Sequence, residues 1–316
     1  MKLFAFILLS VLPVIGCDKP FTPMGPYEER LVVFGILTNT SDTQYVRVFK
    51  TYNPPGVNPL ENVIDQAIRG AEVSVTQGSS SMRYQEIAVS RIDTSRYSGN
   101  IVAYAAYPFR IQPGRIYDLS VTSQQLGRIG STVTVPERGR VHVMNSYVLK
   151  GLGADDEDLV VLAYIRYATR GLMIRFYLDY EVPVGNTWIR QRTEMPTQFR
   201  VLDDTVKLFG FPKLERRVST ASHPAKEELE KSDFSKIAYF ERLNDLQARY
   251  SRNLRVIGAL FVLTQVEQSL YTYYNLANGF QDSYSIRTDL PDWSNIKGGY
   301  GVFGAMVEDS AYVNLD

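Results

Sequence analysis

The residues able to do chemistry are few and scattered. Cys17 is the only cysteine among 316 residues, so the chain forms no intramolecular disulfide and no thiolate metal cage. Asp155-Asp156-Glu157-Asp158 is the densest acidic run. Carboxylates this close favour a cation, and oxygen ligands suit Ca²⁺, which makes Asp155, Asp156 and Asp158 calcium candidates. The run lacks the alternating spacing of a calcium loop, and a solvated turn is the competing reading. Asp179 and Glu181 stand two apart in an alternating segment, near the spacing of a glycosidase carboxylate pair. Gly299-Tyr300-Gly301-Val302-Phe303-Gly304 fits G-x-G-x-x-G, but the dinucleotide reading needs a strand before it, a helix after it and an acidic residue about twenty positions on. Here Asp292 to Asn295 reads as loop and twelve residues follow Gly304, so no nucleotide site is expected. The glycines instead read as a tight backbone path, with Tyr300, Val302 and Phe303 packing a terminal strand. Trp293, Tyr300 and Phe303 are the candidate binding surface. His142 and His223 stand in no ligand spacing, and G-x-S-x-G, H-E-x-x-H and P-loop patterns do not occur. No cofactor and no committed metal site is expected.

Cys17 carries the sharpest address. Lys2 precedes an apolar run from Leu3 to Ile15 broken only by Ser10 and Pro13, too short to span a bilayer and laid out like a secretory leader. It ends in Val14-Ile15-Gly16-Cys17, which resembles the lipobox cut by bacterial signal peptidase II before a lipidated cysteine. A thiolate is nucleophilic enough to take a diacylglyceryl group as a thioether. Two or three acyl chains, at about 0.8 kcal/mol per buried methylene, anchor lastingly where one binds reversibly. The expectation is a leader over residues 1–16, lipidation of Cys17 and a short tether over 17–26. The partner so implied is a membrane, with the outer membrane favoured over the inner.

The body that follows reads as globular, with 45% hydrophobic and 22% charged residues. Lys plus Arg and Asp plus Glu balance at 34 each, so no global field recruits nucleic acid. From 27 to 137 short alternating segments punctuated by turns argue for an antiparallel sandwich. Leu31 to Leu37 reads as a buried run, Tyr45 to Lys50 puts Val46 and Val48 on one face, and Gly70 to Val75 restarts after Asn53-Pro54-Pro55-Gly56. Pro113-Gly114 precedes Ile116 to Val121, where Tyr117 sits like the corner tyrosine of immunoglobulin-like sandwiches and is expected to donate a structural hydrogen bond. From 138 to 316 strands mix with helices, an α+β pattern. Leu172 to Val182 is the cleanest strand, with Leu172, Ile174, Phe176, Leu178, Tyr180 and Val182 on one face and Arg175, Asp179 and Glu181 on the other. Asp233 or Ser235 caps a helix carrying Ile237, Phe240, Leu243 and Leu246. Lys226 to Lys231 reads as a solvated helical face. Arg255 to Leu263 reads as a strand, then Thr264-Gln265-Val266-Glu267 as a capping box opening a helix that stops before Asn278-Gly279. The predicted class is mainly β: an immunoglobulin-like β-sandwich, then a mixed sheet with a few helices.

Four stretches together resemble the lipoprotein group known as domain-of-unknown-function family 4249. They are Glu29 to Leu37, Gly70 to Val75, the Pro-Gly-x-x-Tyr-x-Leu turn at Pro113, and above all Ser294 to Ala305. The resemblance implies a cell-envelope lipoprotein of the kind often found beside TonB-dependent outer-membrane receptors, with no established activity. The role expected is non-enzymatic binding or assembly, accessory to such a transporter or another envelope protein. The alternative is an envelope hydrolase acting on glycan or peptide through carboxylates.

Overall fold

The computed structural model describes residues 27–53, 63–95, 97–202, 206–217, 227–250, 253–278 and 293–315. The expected leader, Cys17, the tether, the turn at 54–56, His223 and Gly279 all lie outside the described residues. The fold is mainly β, with several sheets and, among the described residues, two α-helices. The first half supplies β1 (Leu31–Thr38), β2 (Gln44–Lys50), β3 (Glu72–Gln77), β4 (Ser80–Arg83), β5 (Gln85–Val89), β6 (Ile101–Ala106), β7 (Ile116–Ser123) and β8 (Gly127–Thr134). The second half runs β9 (Arg140–Val143), β10 (Leu159–Ile165), β11 (Gly171–Val184), β12 (Thr187–Met195), β13 (Gln198–Leu202), β14 (Val206–Gly210), β15 (Glu215–Arg216) and β16 (Glu228–Phe234). Helix α1 (Lys236–Arg249), β17 (Arg255–Val266), helix α2 (Gln268–Asn278) and β18 (Tyr300–Asn314) complete it.

Strand alternation builds the first core. Leu31, Val33 and Leu37 of β1 point inward with Val46 and Val48 of β2, and meet Val73, Val75, Tyr117, Leu119, Val121, Ile129 and Val133 of the facing four-stranded sheet β4-β3-β7-β8. Each face carries its apolar residues at period two, so pairing the two sheets removes both apolar faces from water. Leu31 to Leu37 is thus not buried throughout: Ile36 is exposed and Val32 and Phe34 are half-buried on the outer face. Tyr117 is buried, and its hydroxyl accepts the backbone N–H of Gln112 at 2.7 Å. The expected donor is therefore an acceptor, because the turn at Pro113-Gly114 brings the Gln112 amide back over the ring.

The second core forms between β10, β11, β17 and α1. The predicted inward face of β11 is buried at all six positions, Leu172 to Val182. Phe176 stacks on Phe261 with centroids 4.7 Å apart and takes Phe234 edge-on at 5.9 Å. Ser235 caps α1 by accepting the Ala238 N–H at 3.3 Å. The buried stripe is Ala238, Tyr239, Leu243 and Leu246, whereas Ile237 is exposed, since Tyr239 is the side chain that stacks on Phe176. Glu228 to Phe234 is strand, not helix; its exposures alternate along an edge, where charged side chains block further pairing.

Thr264-Gln265-Val266 does not cap a helix either, because β17 continues through Val266. Thr264 donates to Glu308 at 2.8 Å. Buried Gln265 accepts the Gly139 N–H at 2.6 Å and donates to Thr169 at 2.7 Å, pinning the link between the halves. The cap of α2 is Glu267 itself, whose carboxylate accepts the Leu270 N–H at 2.7 Å.

One large sheet runs through both halves in the order β12-β11-β17-β18-β1-β2-β6-β5. Its splice is β18. Tyr300 to Met306 pairs in parallel with β1, and Met306 to Asn314 pairs antiparallel with β17. Phe303, Ala305 and Val307 enter the first core, and Ala311 and Val313 pack on the second. The approach is closest at Gly301, where φ is +105° and a Cβ would stand 2.0 Å from the Val33 carbonyl oxygen. Only glycine fits there.

Candidate functional site

The outer face of the large sheet carries two clusters of the same charge composition, one on each side of the splice. In the second half, Asp179 of β11 accepts from Arg190 at 2.7 Å and from Arg192 at 2.6 and 2.9 Å, both on β12. Antiparallel register creates the contact, since Asp179 sits opposite Arg192 and Glu181 opposite Arg190. Asp179 is 1% exposed and its arginines are 55% and 49% exposed, so the anion is sealed under two solvated cations. Arg190 also donates to the Tyr312 hydroxyl at 3.1 Å. Tyr312 reaches it across Gly258, where a Cβ would meet that hydroxyl at 2.2 Å. The Arg192 hydrogen bond leads in holding the Asp179 carboxyl below its ordinary range, and both guanidiniums are raised in turn. A carboxyl held ionised this way is a poor general acid, so the geometry does not bring Asp179 and Glu181 together as a hydrolytic acid/base pair.

In the first half the burial is shared among all three groups. Arg47 of β2 donates to Asp65 at 3.2 Å and Arg91 donates to the same oxygen, Oδ2, at 2.6 Å. Arg91 is 11% exposed, Asp65 19% and Arg47 32%, so here the cations are drawn into the protein with their counter-ion. Arg47 stacks over Phe49 at 4.3 Å and Arg91 over Tyr97 at 5.2 Å. Phe34 meets Phe49 edge-on at 6.0 Å and Tyr273 of α2 at 5.8 Å. Burial leads in pushing the Arg47 guanidinium below the ordinary arginine range; Asp65 opposes this and Arg91 adds to it. Its Nε is buried without a hydrogen-bond partner. Tyr273 apart, these side chains line an open cleft of about 480 Å³ together with Val32, Lys50, Tyr52 and Gln66. Lys50 is paired to Glu29 at 2.7 Å, so among the described residues the two guanidiniums and one carboxylate leave one positive charge beside the rings.

A second cleft of about 490 Å³ lies between β11, the β13–β14 hairpin and β16, with Lys213, Glu215, Lys231 and Asp233 balancing in its walls.

The residues singled out from sequence do not converge on either cleft. Phe303 is fully buried between the sheets, because its position in β18 points into the first core, so it is not a surface residue. Tyr300 keeps 36% of its surface, with Arg30 5.9 Å from its ring centroid, and Trp293 is half-buried. In the acidic run, Glu157 accepts from Asn145 at 3.1 Å and from Tyr147, and Asp158 accepts the Lys236 N–H at 3.3 Å. The nearby carbonyls of Leu152, Gly153 and Ala154 accept from the Lys236 ammonium at 3.2, 3.3 and 2.8 Å. A tethered cation thus sits where a bound one would, and Asp155, Asp156 and Asp158 build no calcium cage. Among the described residues no group of three or more His, Cys, Asp or Glu is placed to hold a metal. His142 is exposed on β9, across from Leu162.

Sequence reading missed Phe34, Arg47, Phe49, Asp65, Arg91 and Tyr97. A signal existed: β1 and β2 carry large apolar residues at outward as well as inward positions, Val32, Phe34 and Ile36 beside Tyr45 and Phe49. A sheet apolar on both sides needs a second cover, and α2 supplies only part of it.

The molecule is thus a mainly β protein with an open cleft of about 480 Å³ on its large sheet. The model of the domain of unknown function DUF4249 matches residues 18–311, and the chain belongs to that family. No curated protein matches it. Among solved structures, it is similar to the C-terminal globular domain of an oligosaccharyltransferase from Pyrococcus abyssi, at 10% identity and a TM-score of 0.26, over 77% of this chain and 50% of that one. The chain thus spans half the length of that relative.

Proposed function

We propose that this chain is a cell-envelope lipoprotein, anchored through Cys17, that binds rather than catalyses. The observation that carries the binding role is the cleft on the outer sheet face, apolar and aromatic in its walls and holding two arginines on one aspartate. The address rests on Val14-Ile15-Gly16-Cys17, and the family match beginning at residue 18, directly after that cysteine, agrees with a leader set apart from the folded body. The anchored body serves as an accessory to a TonB-dependent outer-membrane transporter. Its first half is a sandwich of immunoglobulin-like type, a reading supported by two facing sheets, antiparallel apart from the β1–β18 pair, and by Tyr117 tying down the Pro113-Gly114 turn.

Mass spectrometry of the protein from its native host tests the address. The expected N-terminus is Cys17 bearing diacylglycerol, and Cys17→Ser should leave the membrane fraction. A free thiol at residue 17 contradicts the proposal. Cross-linking in intact envelopes should capture a transporter; capture of none sinks the accessory role.

A further inference from the structure

We propose that the cleft over β1 and β2 binds a small organic monoanion with an apolar body, its carboxylate paired to Arg47. This rests on the binding role above and deepens it. Arg47 and Arg91 share the single oxygen Oδ2 of Asp65, and Lys50, the third cation in the lining, is paired to Glu29, so among the described residues the cleft carries one surplus positive charge. In a poorly solvated setting that surplus is unfavourable, and an incoming anion relieves it. One surplus charge matches one negative charge; a dianion such as phosphate would bring back an imbalance of the opposite sign. Arg47 already meets the Asp65 carboxylate at 3.2 Å, longer than its close neighbours, so its guanidinium retains donor capacity for a second oxyanion.

The remainder of the cleft sets the body of the ligand. Val32, Phe34, Phe49 and Tyr97 give it apolar and aromatic walls, and Tyr273 of α2 packs on Phe34. A volume of about 480 Å³ lies within the roughly 300–1,000 Å³ typical of small-molecule sites. A sugar would leave its hydroxyls facing rings and methyls, whereas an alkyl chain or aromatic ring removes apolar surface from water. Medium-chain fatty acids and simple aromatic acids fit both requirements.

Calorimetric titration of the full chain with octanoate, and with its neutral counterpart octanamide, tests the inference without any mutation. Octanoate is expected to bind at least tenfold more tightly, and more weakly as salt rises. Arg47→Gln should lose at least tenfold for octanoate and little for octanamide. Val32→Trp, which fills the cleft and leaves the ion trio alone, should abolish both, with far-UV circular dichroism checking the fold of each variant. Equal binding of octanoate and octanamide would overturn the anion assignment and leave a neutral-ligand site standing. Binding of neither overturns this inference, while anchoring and transporter capture remain open to their own tests.

Discussion

The molecule sets two arginines on one aspartate twice, and the two clusters differ in how burial is divided between the partners. At Asp179 the anion is sealed and the arginines face water on paired strands. Solvent screens those guanidiniums and every carboxylate oxygen is occupied. At Asp65 the arginines are drawn in beside rings, share one oxygen, and edge a cleft. The same charges therefore close a surface in one place and open a site in the other. Stoichiometry alone does not identify a binding site; the distribution of desolvation does.

The comparison can be broken at its frame. Gly301→Ala forces a Cβ into the Val33 carbonyl at a backbone angle that L-residues avoid. Since β18 splices the halves, both clusters should be lost together, at about 3 kcal/mol or more of unfolding free energy. Urea unfolding followed by circular dichroism reads it, and a loss below 1 kcal/mol would show that β18 does not carry the frame.

Removing each aspartate sharpens the contrast. Asp179→Asn should destabilise by about 1–2 kcal/mol, moderated because its arginines are half in water. The folded carboxyl is depressed, so its contribution is present above the unfolded value of about 3.9 and is lost as pH falls through the folded value. The wild-type advantage over Asp179→Asn should accordingly shrink on acidification below about pH 4. Asp65→Asn should cost less, about 1 kcal/mol, and should raise octanoate affinity, because it adds to the surplus charge instead of exposing a sealed ion. Reduced affinity in that variant would show that Asp65 serves to orient the arginines.

Much of the frame was legible in the sequence because alternation is local. The inward face of β11, the Val46/Val48 face of β2, and the strand reading of the glycine-rich motif all follow from period two. What failed depended on partners far away in the chain. Thr264 and Glu267 have the spacing of a capping box, yet pairing with β18 holds Thr264 in strand. Charges at 227–231 suit a helix face until β10 offers an edge. Phe303 reads as a ring for a surface until the facing sheet covers it. The cleft stayed hidden because Asp65 and Arg91 come from irregular segments whose proximity to Arg47 no local pattern records.

The smallest expected effect concerns α2, which carries Tyr273 against Phe34. Burial raises the Glu267 carboxyl above its ordinary range, against the hydrogen bonds from Ser269 and Leu270. A raised group stabilises most below its unfolded value of about 4.3, and that contribution is lost as pH rises through the folded value. Glu267→Gln, neutral throughout, should therefore gain on the wild type as pH climbs from 4 to 7 in urea unfolding. A constant difference would mean that the capping bonds cancel burial, and a wild-type gain with pH that they outweigh it.

The most direct test is a matched titration of octanoate into Arg47→Gln and Arg192→Gln, two variants that each remove one guanidinium from a two-to-one cluster. The account predicts that Arg47→Gln loses at least tenfold in affinity while Arg192→Gln binds as the wild type does. Equal loss in both, or no loss in either, would contradict it.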